Sequence, residues 1–182
     1  MRLNPDDVDS LTWLGSTLNQ EHKPADALVL LRPLEAKRKK NPDIRYEMAR
    51  ALGALKQYDE ALAELNRAFA LAPTSFTYHL ELAHTLESAG RHDDALKKFR
   101  EVAANVPGSP VAHAELGAQL LSMAKQEEAA RELQRAIDID PKCARAWFFP
   151  GRLRDSKGDQ AGAKTAYDTA RTLEADNEEF RD

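Results

Sequence analysis

Residues 76–109 read FTYHLELAHTLESAGRHDDALKKFREVAANVPGS. Leu80, Leu82, Ala83 and Leu86 recur at helical spacing, which predicts a helix from about Phe76 to Ala89. Gly90 then supplies a residue that accepts a positive φ, as a helix end often requires. Ala95, Leu96, Phe99 and Val102 share one stripe of a second helix, predicted over His92 to Asn105. Pro107 and Pro110 bracket the exit, where a helix cannot continue. The short turn makes the two helices antiparallel. One such pair cannot bury both of its apolar faces, so the stretch reads as one unit of a stack.

The same pattern recurs on both sides at a step of 34 residues. Ala27, Ala61, Ala95, Ala129 and Ala163 form one row. Gly15, Ala49, Ala83, Gly117 and Gly151 form a row of small residues, and Leu31, Leu65, Phe99, Leu133 and Tyr167 a row of large ones. Leu34, Ala68, Val102, Ala136 and Ala170 make a fourth, and Leu18, Leu52, Leu86 and Leu120 a fifth that Arg154 breaks. Five units follow without a gap, over residues 8–41, 42–75, 76–109, 110–143 and 144–177. A small residue at a helix crossing lets two axes approach, and a large one fills the space beside it.

Composition agrees with an all-α chain. Alanine (30) and leucine (23) dominate, whereas valine and isoleucine together number eight, so an all-β fold is excluded. A hydrophobic content of 42% with net charge −4 is too apolar and too weakly charged for a disordered chain. No apolar run is long enough to span a membrane, and no membrane partner is expected. A nucleic-acid partner is not expected either, because no basic excess exists. The one cysteine, Cys143, rules out an internal disulfide or a multi-cysteine metal site.

These residues carry a resemblance to the tetratricopeptide repeat family. Leu11, Leu14, Gly15 and Leu18 fit the first half of its motif, and Leu116, Gly117, Leu120, Ala129, Leu133, Ala136 and Pro141 fit the whole. Tyr58, Asp59, Glu60 and Ala61 are similar to the family's usual start of a second helix. The resemblance implies an α-solenoid: a single array of five helix-turn-helix repeats wound as a right-handed superhelix. Two departures stand out. Pro33 and Pro150 fall inside helices, where proline costs ~3 kcal/mol unless the helix bends, so a kink is expected at each. Arg2-Leu3-Asn4-Pro5 resembles the closing stretch of a unit, and the chain stops near the start of a sixth, so a fragment of a longer protein is expected. Uncapped ends would allow self-association.

Several motifs lead nowhere. Gly158 to Thr165 resembles a phosphate loop but is one residue short and follows no strand. His79, His84 and His113 lack the spacing of a metal site. Lys37, Arg38, Lys39 and Lys40 read as cations complementing a helix C-terminus. Cys143 has no base beside it. No catalytic residue, cofactor or metal is expected.

In the resembled family the first helices line a concave face that takes a peptide or protein segment. Here one row of those helices holds Trp13, Glu47, Glu81, Glu115 and Phe149, an acidic ladder between aromatics. Thr12, Tyr46, Leu80, Ala114 and Phe148 come one residue earlier, and Ser16, Arg50, His84, Ala118 and Arg152 three later. The expected groove comprises Trp13, Tyr46, Glu47, Arg50, Leu80, Glu81, His84, Glu115, Phe148, Phe149 and Arg152, and the expected ligand is a basic segment with apolar ends. Glu47 and Glu81, with Thr12 and Ser16, stand where a clamp for acidic chaperone tails needs basic or amide groups, which argues against such a tail. The expected function is a non-catalytic protein-interaction scaffold. The other reading is a regulatory or substrate-presenting arm of a larger enzyme, such as a glycosyltransferase, sulfotransferase or hydroxylase.

Overall fold

A computed structural model describes residues 7–38 and 40–178. The Arg2 to Pro5 stretch, Lys39 of the basic run and the chain beyond Glu178 lie outside the described residues. Among the described residues there are ten helices and no strand. They are α1 (Val8–Gln20), α2 (Pro24–Lys37), α3 (Pro42–Ala54), α4 (Tyr58–Leu71), α5 (Phe76–Ser88), α6 (His92–Asn105), α7 (Pro110–Ser122), α8 (Gln126–Ile139), α9 (Ala144–Ser156) and α10 (Gln160–Glu178). Odd-numbered helices begin 34 residues apart, and so do even-numbered ones. The fold is therefore an all-α solenoid of helix pairs. α10 continues for 19 residues, past the point where its counterparts stop. Ala175 stands there in place of Pro73, Pro107 and Pro141, so nothing removes the next backbone hydrogen bond.

The chain divides into two compact units, one up to Ala95 and one from Leu96. In the first, α1 packs on α2 and α3, α2 on α3, α3 on α4 and α5, and α4 on α5. In the second, α7 packs on α8 and α9, α8 on α9, and α9 on α10.

Each turn inside a pair is closed in the same way. His22, Lys56, Gly90, Ala124 and Gly158 all adopt positive φ, between 57° and 78°. The next N–H reaches back to the carbonyl of Leu18, Leu52, Leu86, Leu120 or Arg154 at 2.8–3.0 Å. This is the 6→1 bond that satisfies a helix's orphan carbonyls. Only two of the five positions are glycine, so His22, Lys56 and Ala124 hold a conformation that crowds Cβ. A second row, Asp7, Asn41, Ser75, Ser109 and Cys143, stands before the odd-numbered helices. Asp7, Asn41 and Ser109 accept backbone N–H groups there as N-caps. Cys143 occupies the same place without a capping bond.

The small-residue row is where paired helices meet. A Cβ at Gly15 would lie 2.6 Å from Leu31 Cδ2, one at Gly117 2.6 Å from Leu133 Cγ, and one at Gly151 2.6 Å from Tyr167 Cε1. The repeated alanines Ala27, Ala61, Ala95, Ala129 and Ala163 are all buried. α2 and α9 remain unbroken helix through Pro33 and Pro150.

Ring nitrogens tie the loops between pairs. His79 Nε2 bonds the Pro73 carbonyl at 2.9 Å, His113 Nε2 that of Pro107 at 3.1 Å, and Trp147 Nε1 that of Pro141 at 2.8 Å. These residues form one more row, which gives His79 and His113 a structural role. His113 Nδ1 also meets Glu132 at 2.7 Å. Two steps earlier, Arg45 takes the place of His113 and Glu64 that of Glu132. Arg45 is buried and bonds both Glu35 and Glu64 at 2.8 Å, joining α2, α3 and α4.

The turns and the packing lead to two predictions. Ala124→Gly relieves a crowded Cβ worth ~1–2 kcal/mol against a glycine entropy cost of ~0.5–1 kcal/mol, so a net gain of about 0.5–1 kcal/mol is expected in urea melts. Gly90→Ala should lose a similar amount. Gly117→Ala and Ala129→Leu should each cost ~1–3 kcal/mol by overpacking. Melting curves identical to wild type for both would contradict the close approach at this crossing.

Candidate partner groove

In the first unit, α1, α3 and α5 lie side by side and leave an open concavity of 510 Å³. Its chemistry comes from Asp9 and Trp13 on α1, Asp43, Tyr46 and Glu47 on α3, and Tyr78 on α5. Short hydroxyl side chains, Thr12, Ser16, Ser75 and Thr77, complete most of the wall. Among the described residues, no basic side chain lines it. Trp13 is 72% exposed, a large apolar surface to leave in water.

The floor is rigid. The Tyr46 and Tyr78 rings lie 5.2 Å apart at 33°, and the Tyr78 hydroxyl donates to Asp43 Oδ1 at 2.5 Å. The Arg50 guanidinium sits 5.8 Å from the Tyr46 centroid and donates to Glu47 at 3.2–3.3 Å. Asn19 Nδ2 reaches across from α1 to the Glu47 carbonyl and carboxylate, each at 2.9 Å. Glu47 is therefore buried and held from two sides.

Of the ladder expected from sequence, Trp13, Tyr46 and Glu47 share this concavity, and Arg50 crosses the Tyr46 ring beside them. Leu80 on α5 is half-buried. Glu81 is half-buried too, and burial pushes its carboxyl above the usual range, against the opposing pull of Arg50 and His84. His84 Nδ1 stands 3.8 Å from Glu87. In the second unit Glu115 is buried and bonded by Arg145 at 2.5 Å. Phe148 is 45% exposed and meets the edges of Phe149 and Tyr167, while Phe149 also packs on the Ala114, Ala136 and Ala146 cluster. Arg152 is exposed and acts on Tyr167. The three ladder carboxylates thus differ: Glu47 and Glu115 are committed to internal donors, and Glu81 is desolvated.

Sequence reading missed Asp9, Asp43 and Tyr78. The signal was present for the first two. Asp9, Asp43, Thr77, Val111 and Arg145 form a row one helical turn before the ladder. Its charge changes sign along the chain, and at its far end Arg145 supplies the cation that neutralises Glu115.

Stacked helix pairs with an open groove on the first helices define a helical-repeat scaffold. Family models described as tetratricopeptide repeat match residues 46–110 and 86–147, together more than half of the chain. A model described as anaphase-promoting complex, cyclosome, subunit 3 matches residues 1–68. The chain belongs to the tetratricopeptide repeat family, whose members are in general protein-interaction scaffolds. Similar solved structures include a thermophilic TPR protein of Thermus thermophilus, at 17% identity and TM-score 0.77, covering 96% of this chain and 95% of that one. Another is MamA of Desulfovibrio magneticus, at 22% identity and TM-score 0.70, covering 94% and 97%. At these identities the likeness is one of fold. No curated protein matches the sequence at a significant level.

Burial, first, and then neighbouring carboxylates raise Tyr46 to about 12 and Tyr78 further. A folded-state value above the unfolded one of about 10 gives stability that is full below pH 10 and lost as pH rises through 12. Wild type should therefore lose stability between pH 9 and about 11.5 more steeply than a Tyr46→Phe/Tyr78→Phe variant in denaturant titrations. Parallel losses would place these hydroxyls in solvent.

Proposed function

We propose that the groove of the first unit binds an extended segment of another protein that carries basic side chains among apolar ones. The observation that carries this reading is the lining itself: among the described residues, three aromatic and three acidic side chains and no basic one, with Trp13 standing 72% exposed. Aromatic faces attract cations as well as apolar groups, and carboxylates select the sign of charge. Because Glu47 is held by Asn19 and Arg50, the carboxylates that meet a ligand are Asp9 and Asp43. Exposed charges chiefly set association rate and selectivity, while the aromatics supply the anchor.

Trp13 is its own reporter once Trp147, the other tryptophan, is replaced. Trp147→His keeps the ring N–H that its row carries at positions 79 and 113. In that background, basic peptides from a designed array should shift Trp13 emission and acidic ones should not. Binding should weaken as salt is raised. Trp13→Ala should weaken it about tenfold or more. Equal binding of acidic and basic peptides, or an unchanged affinity after Trp13→Ala, would reject the groove as the recognition surface.

A further inference from the structure

The row that contains Arg50 shows how this groove handles a cation of its own. On α3, the Arg50 side chain turns back one turn, lies over the Tyr46 ring at 5.8 Å and is held by Glu47. The corresponding residue on α1 is Ser16, which is too short to reach any ring. Ser16 lines the 510 Å³ concavity, and Arg50 does not. The space that a long side chain would fill on α1 is thus left open, between Trp13 on one side and Tyr46 and Tyr78 on the other. Asp9, exposed, and Asp43 face it, and among the described residues neither is paired there with a cation.

We propose that this space takes the guanidinium of one arginine from the bound segment, laid against the exposed Trp13 ring and met by the carboxylates of Asp9 and Asp43. The inference rests on the groove reading above and adds the residue type and its seat. Arginine fits better than lysine for a geometric reason. A flat guanidinium stacks on an aromatic face while its N–H groups point outward in the ring plane toward carboxylates. An ammonium is more strongly hydrated and cannot do both at once. The partner's arginine would reproduce in trans what Arg50 does in cis one repeat along.

The test uses an arginine-containing peptide selected from the basic array and three companions, in which that arginine is citrulline, lysine or alanine. Citrulline keeps the shape of arginine and removes its charge. In the Trp147→His protein, the arginine peptide should bind at least about tenfold more tightly than the citrulline one, with lysine in between. Ser16→Arg supplies a cation from the protein itself, so it should abolish the emission shift. Circular dichroism checks that the variant keeps its helix content. Equal affinity of the citrulline or lysine peptide, or normal binding by Ser16→Arg, overturns the arginine seat. That result leaves the groove reading in place as long as Trp13→Ala still weakens binding; if Trp13→Ala has no effect, the groove reading itself fails.

Discussion

Gly15, Gly117 and Gly151 each sit 2.6 Å, counted from where a Cβ would be, from the large side chain of the helix opposite. That close approach is the constraint on which the remaining geometry hangs. It brings the axes of a pair near enough for one layer of side chains to fill the gap, and the buried alanines one row along keep it that way. Because the contact returns at multiples of 34 residues, α1 with α2, α7 with α8 and α9 with α10 meet in the same register. The face opposite the contact is left free to vary, and that is where Trp13, Tyr46 and the carboxylates stand.

Two backbone devices keep the register. The positive-φ residue after each odd-numbered helix reverses the chain in a fixed number of residues, with a 6→1 hydrogen bond closing every turn. The capping row before each odd-numbered helix starts the next pair at a fixed place. Neither depends strictly on the residue best suited to it. Ala124 bears the strain that Gly90 avoids, and Cys143 fills a capping place without capping. The cooperative packing of the pair outweighs a local cost of about 1 kcal/mol at either position.

The groove also shows how a repeat uses charge within the fold. In its ladder row, Glu47 is drawn inward by Asn19 and Arg50, and Glu115 by Arg145. These carboxylates brace helices against each other. A buried charge held by two donors is costly to strip of one, which favours a structural role. Among the described residues Glu81 and Asp9 have no such brace, and the Trp13 ring on α1 remains exposed. On the proposed reading, the ladder row stabilises the stack while the groove beside it meets the partner.

The helices, their starts and stops, the packed rows and the turn at Gly90 were legible in the sequence, because each depends on spacing along a single helix or on one residue's backbone preference. His22, Lys56 and Ala124 were not read as positive-φ positions, since nothing in their side chains calls for it; the packed pair imposes it. The lining of the concavity was legible in part: Trp13 and Glu47 stood in one row and Tyr46 in the row before it, and Asp9 and Asp43 lay one turn away in a row of their own. What tertiary structure alone decided was the fate of each charge. Asn19 reaches Glu47 across 28 residues, and Arg145 reaches Glu115 across 30. Such pairings depend on how far two neighbouring helices slide and on which side chain is long enough to cross. Periodicity within one helix holds no record of either.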